Sequence, residues 1–170
     1  QDFANTNQIA LTPGSTAKDL GFAWYSNTKG TPAVMVWKDG SKAGAQIVKG
    51  TATDISAENW QGEVYAASNK VSINGFFEPN TKYVYQYTDN YSDNGDTIWS
   101  DEYTYTTHAT DTFSVILTGD PQIGASGSKS DKDANDMSIA QDAYNWNKTM
   151  QKAMEIDPDA SFLLSAGDQI

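Results

Sequence analysis

Apolar and polar positions alternate in short runs up to about residue 108, and beyond residue 112 that period of two gives way to a strand, helix, strand order. Leu20, Phe22 and Trp24 alternate with Gly21, Ala23 and Tyr25, which predicts one strand with a large apolar face. Val34 and Val36, flanked by Met35 and Trp37, predict the next, closed by Lys38-Asp39-Gly40. Residues 45–52, 62–67 and 71–76 are shorter candidates. Tyr83, Tyr85 and Tyr87 share one strand face, and Asp93-Asn94-Gly95 predicts a hairpin turn into a strand over residues 97–107. About seven short strands in roughly a hundred residues predict a mainly β fold, an antiparallel sandwich.

The second part reads differently. Phe113, Val115, Ile116 and Leu117 form a nearly continuous apolar run, as expected of a parallel strand covered on both faces. Residues 123–135 are a polar loop, and from 136 to 156 Ile139, Ala143, Trp146, Met150 and Ala153 trace one helix face. Ser138 and Gln141 are placed to form a capping box, Asp157-Pro158 ends the helix, and Phe162, Leu163 and Leu164 make the second strand. Trp146 is expected in the core. The division predicted is a sandwich over 1–108 and a βαβ unit over 109–170, with a right-handed crossover.

Charge removes several functions. The chain holds 22 acidic residues against 11 lysines and has no arginine. That sign of field repels nucleic acid and anionic membrane, and an arginine phosphate clamp is unavailable. A phosphate group would have to be met by metal or by lysine. The absence of cysteine excludes disulfides, thiolate metal sites and cysteine nucleophiles. Residues 1–10 carry neither a basic start nor an apolar core, so Gln1 is expected to follow a removed signal peptide or tag. No apolar run approaches the roughly 20 residues of a membrane span.

Two apolar runs each end in Gly-Asp: Gly119-Asp120-Pro121-Gln122, and Gly167-Asp168 48 positions later. Consecutive parallel strands carry both carboxylates to one sheet edge, where ligands bind in open α/β folds. Adjacent carboxylates repel, and a divalent cation relieves that cost. Two aspartates and an amide leave most of a coordination shell to be filled. Residues 131–136 resemble a calcium loop at positions 1, 3 and 5, but Asp136 replaces the glycine and Asp142 the closing glutamate. His108 is expected to be a solvated linker residue.

Residues 77–85, with a proline turn before Tyr83-Val84-Tyr85, resemble the corner of fibronectin type III domains, where a tyrosine hydrogen-bonds back to the backbone. The two Gly-Asp blocks resemble the opening of metallophosphoesterases, the calcineurin-like family that includes purple acid phosphatases, some of which carry an N-terminal fibronectin-like sandwich. That resemblance implies a phosphatase in which metal-activated hydroxide attacks phosphorus, with a pair of Fe, Mn or Zn ions. It implies Asp120 as a first-metal ligand and Asp168 as the bridging aspartate. Gln122 stands where many members have histidine; its amide oxygen is a weaker ligand than imidazole, which leaves the metal open.

It further implies that this chain is the N-terminal part of such an enzyme, inactive alone, secreted or on a bacterial-type surface. The rest of the catalytic domain or a second chain would then cover the βαβ unit. The alternative is a carbohydrate- or protein-binding, or adhesion, module without catalysis, for which Trp60 and Trp99 are the candidate platform residues.

Overall fold

The computed structural model describes residues 9–58, 62, 64–126 and 132–168, without the side chains of 132–136. The chain divides into one compact unit of Thr6–Asp111 and a second that contains Thr112–Ile170.

The first unit is a β-sandwich. One sheet has the order β1 (Ala10–Pro13), β2 (Leu20–Ser26), β6 (Val64–Ile73) and β5 (Thr51–Glu58). The other runs β4 (Gln46–Lys49), β3 (Ala33–Lys38), β7 (Lys82–Thr88) and β8 (Tyr103–Thr106). Every pairing in both sheets is antiparallel. Leu20, Phe22 and Trp24 of β2 face inward with Val71 and Ile73 of β6, and meet Val34, Val36, Tyr83 and Tyr85 from the opposite sheet. Burial of these side chains stabilises each by roughly 1.5–3 kcal/mol and selects the register, since a slip of one residue would expose the whole set. Trp37 lies on the outer face of β3, yet is only 3 % exposed, with Lys42 Nζ 4.6 Å over its ring.

Tyr83 closes the corner. Its buried hydroxyl accepts the Glu78 N–H at 2.8 Å, the link expected of the fibronectin-like turn. Several boundaries differ from the sequence reading. β1 was not predicted, residues 45–52 divide between β4 and β5, and the two runs at 62–67 and 71–76 belong to the single strand β6. The strand expected over 97–107 is confined to β8, because residues 96–102 form a loop, joined to β7 at Ser100, whose N–H donates to Tyr87 O at 2.9 Å.

The second unit holds β9 (Val115–Thr118), helix α1 (Lys132–Ile156) and β10 (Phe162–Ser165). β9 and β10 pair in parallel, Val115 with Phe162 through Thr118 with Ser165. The helix starts at Lys132, so Ser138 and Gln141 are interior residues instead of a capping box. Trp146 and the other stripe residues are half-buried, not core. β9 is not covered on both faces either: among the described residues, Leu117 is 70 % exposed, and Leu164 opposite it is 54 % exposed. No helix among the described residues is long and apolar enough to cross a membrane.

Candidate functional site

Past the ends of β9 and β10 the two chains stay side by side. Ala166 N–H donates to Thr118 O at 2.8 Å, Asp120 N–H to Gly167 O at 3.2 Å, and Gln122 N–H to Asp168 O at 3.0 Å. The parallel pair therefore brings the backbones of Asp120, Gln122 and Asp168 to one sheet edge, and all three residues are solvent-exposed.

These residues share a second property. Asp120, Gln122 and Asp168 have φ values of 49°, 43° and 45°, and Asn80 is the other non-glycine residue with positive φ among those described. Left-handed backbone is unfavourable for L-residues, least so for Asp and Asn, and such strain collects at ligand sites. Gly167 has φ 132°, so the second Gly-Asp turns at its glycine. Gly119 does not adopt positive φ; the first turn falls on Asp120 itself.

Asp142 is a site residue that the sequence reading assigned differently. Its carboxylate accepts Gly124 N–H at 2.9 Å and the Ser126 hydroxyl at 2.8 Å, which ties the loop after β9 to α1. The Ser126 hydroxyl, then the Gly124 amide, hold its carboxyl below the usual aspartate range. The signal was present: Asp142 lies on the apolar stripe of α1, three residues after Ile139 and four before Trp146, where a charged residue needs a partner. A cleft of about 240 Å³ lies between Asp120 and Pro121 on one side and Asp142, Asn145, Trp146 and Thr149 on the other.

Asp142 is committed to the β9 loop, which removes the closing ligand of the calcium reading; the side chains of 131–136 lie outside the described residues, as does Trp60. His108 follows β8 and is half-buried, not fully solvated. Among the described residues no group of three or more His, Cys, Asp and Glu is arranged to hold a metal ion. The donors at the edge are two carboxylates and one amide, all oxygen, a set that suits a hard or borderline divalent cation and accounts for part of its shell.

No curated protein matches the chain. Among solved structures, the sensor domain of the anti-sigma factor RsgI4 of Pseudobacteroides cellulosolvens is similar at 19 % identity and a TM-score of 0.37, over 64 % of this chain and 95 % of that one. The family described as "Purple acid Phosphatase, N-terminal domain" matches residues 6–107, the stretch that folds into the sandwich with its Tyr83 corner. By that match, over more than half its length, the chain belongs to the purple acid phosphatase N-terminal domain family.

Proposed function

We propose that the protein is part of a metal-dependent phosphoesterase, with the sandwich preceding the first βαβ unit of its catalytic domain and Asp120, Gln122 and Asp168 forming a partial metal cradle. The observation that carries this reading is the coincidence of the three residues at one parallel-strand edge, each in left-handed backbone. Aspartate tolerates such φ values, and a chain that only needed a turn would place glycine, asparagine or aspartate at position 122 instead of glutamine. Membership of the phosphatase-associated family supports the same assignment.

In this proposal the Asp120 and Asp168 carboxylates supply the negative charge that holds Fe, Mn or Zn, and the Gln122 amide adds a neutral oxygen. Asp142 fixes the loop that carries Gln122 by accepting from Gly124 and Ser126. A bound metal pair would supply a hydroxide nucleophile near neutral pH and polarise a phosphoryl oxygen. With no arginine in the chain, the phosphoester is met by metal or lysine. The proposal includes further ligands from the remainder of the catalytic domain or a second chain, whose packing would cover Leu117, Leu163 and Leu164. It also assigns the protein to the cell exterior or surface.

Calorimetry with Mn and Zn tests it. Weak binding, lost in Asp120→Asn, is expected, together with p-nitrophenyl phosphate hydrolysis no faster than a buffer blank containing the metal. Tight binding that Asp120→Asn leaves unchanged, or robust turnover by this chain, would show that the site lies elsewhere.

A further inference from the structure

The sandwich unit carries a cleft of its own, about 220 Å³, lined by Trp24, Tyr25, Tyr87 and Trp99 together with Asp89. Ile98, also on its lining, is 86 % exposed, the most exposed large hydrophobic residue among those described. The space is below the roughly 300–1,000 Å³ of sites that enclose drug-sized ligands, which limits an occupant to one small group.

Three polar groups of the lining have partners. The Ser100 hydroxyl donates to Asp101 O at 2.8 Å and accepts Tyr87 N–H at 3.0 Å. Thr88 is buried, and its hydroxyl accepts Asn90 N–H at 3.3 Å. Asp89 Oδ1 accepts Trp24 Nε1–H at 2.6 Å, and among the described residues no hydrogen bond engages Oδ2. The cleft thus brings Trp24, Tyr87 and Trp99 beside the Asp89 carboxylate, with no lysine on its lining; the Tyr25 ring lies on the other face of β2, against Tyr65. Its chemistry selects for positive charge and for an apolar body.

The surface beside it already uses that chemistry. Tyr91, whose ring lies 6.0 Å from that of Trp99, takes Lys49 Nζ 4.7 Å over its face. A chain of net charge −11 also concentrates cations at its surface. We infer that the cleft lined by Trp24, Tyr87, Trp99 and Asp89 binds a small organic ammonium of about the size of choline, whose charge faces Asp89 Oδ2 and whose methyl groups pack on the aromatic side chains. Aromatic walls and one anion are the combination that holds alkylated ammonium groups, because the ring quadrupole attracts a cation too weakly hydrated to stay in water.

The test titrates the full chain with choline chloride, its neutral isostere dimethylbutanol, and glucose, following the indole signals of Trp24 and Trp99. Choline should saturate, the neutral alcohol should bind at least about fivefold more weakly, the factor for one charge pair at roughly 4 Å even in bulk water, and glucose should give no saturation. Asp89→Asn keeps an oxygen for the Trp24 Nε1–H and should lose the same factor; Trp99→Ala should weaken choline while the circular dichroism of the sandwich is retained. Should Asp89→Asn not fold, the comparison with the neutral alcohol in the parent chain decides. No saturable response to choline, equal binding of the alcohol, unchanged affinity in a folded Asp89→Asn, or saturation by glucose in its place would each overturn the inference.

Discussion

Replacing Gln122 with glycine should strengthen the βαβ unit while weakening the metal site proposed for it. Gln122 holds φ at 43°, a left-handed conformation that costs a non-glycine residue roughly 1–2 kcal/mol. Glycine removes that cost but adds about 0.5–1 kcal/mol of conformational freedom to the unfolded chain. The difference is stabilising by about 0.8 kcal/mol, since the side chain is exposed and the N–H that donates to Asp168 O is retained. At roughly 1.4 kcal/mol per factor of ten, that is about a fourfold shift in the local opening equilibrium.

Hydrogen exchange at the amides that pair β9 with β10 reads this equilibrium directly. Protection should rise about fourfold in Gln122→Gly and should not rise in Gln122→Ala, which keeps the Cβ that causes the strain. Asp120→Gly and Asp168→Gly should gain less, because aspartate tolerates left-handed backbone better than glutamine. Faster exchange in Gln122→Gly than in the parent would refute the claim that this backbone is strained.

Two further outcomes concern the sandwich. Tyr83→Phe removes the hydroxyl that accepts the Glu78 N–H and should cost about 1 kcal/mol, seen as a lower urea midpoint with an unchanged slope; an unchanged midpoint would contradict the corner's role. Burial, with lesser contributions from Tyr103 and Tyr87, pushes the Tyr85 phenol up to about 12, so between roughly pH 10 and that value the folded state keeps a proton that the unfolded chain releases. Its contribution to stability is whole below about pH 10 and declines as pH rises towards 12. Tyr85→Phe should flatten the alkaline decline in the urea midpoint, and an identical decline would show that another group causes it.

The strands that the sequence revealed most sharply, β2 and β3, have a buried face. Leu20, Phe22, Trp24, Val34 and Val36 point inward and leave a period of two in the chain. β1 leaves no such trace: it is an edge strand, with no buried residue among Ala10, Leu11, Thr12 and Pro13. The first residues of α1 escaped for a similar reason, since Lys132-Asp133-Ala134-Asn135 supplies no apolar stripe. Conversely, Ile98 and Trp99 have the composition of a strand but lie in a loop, because cross-strand pairing outweighs intrinsic preference and no ladder with β7 is formed there among the described residues.

Both functional regions follow the same division. The sequence by itself determined that two Gly-Asp pairs end apolar runs separated by a helix, because strand and helix periods are local properties. It also determined, through charge and the lack of arginine, which ligands the surface disfavours. Only the tertiary structure decided that the strained φ falls on Asp120 and Gln122 instead of Gly119, and that Asp142 holds a loop 18 residues away. It alone brought Asp89 to Trp24 across 65 residues, beside Trp99. Periodicity records which face of an element is buried, whereas a site is made where elements distant in the chain meet, and that meeting is set by packing the sheets as a whole.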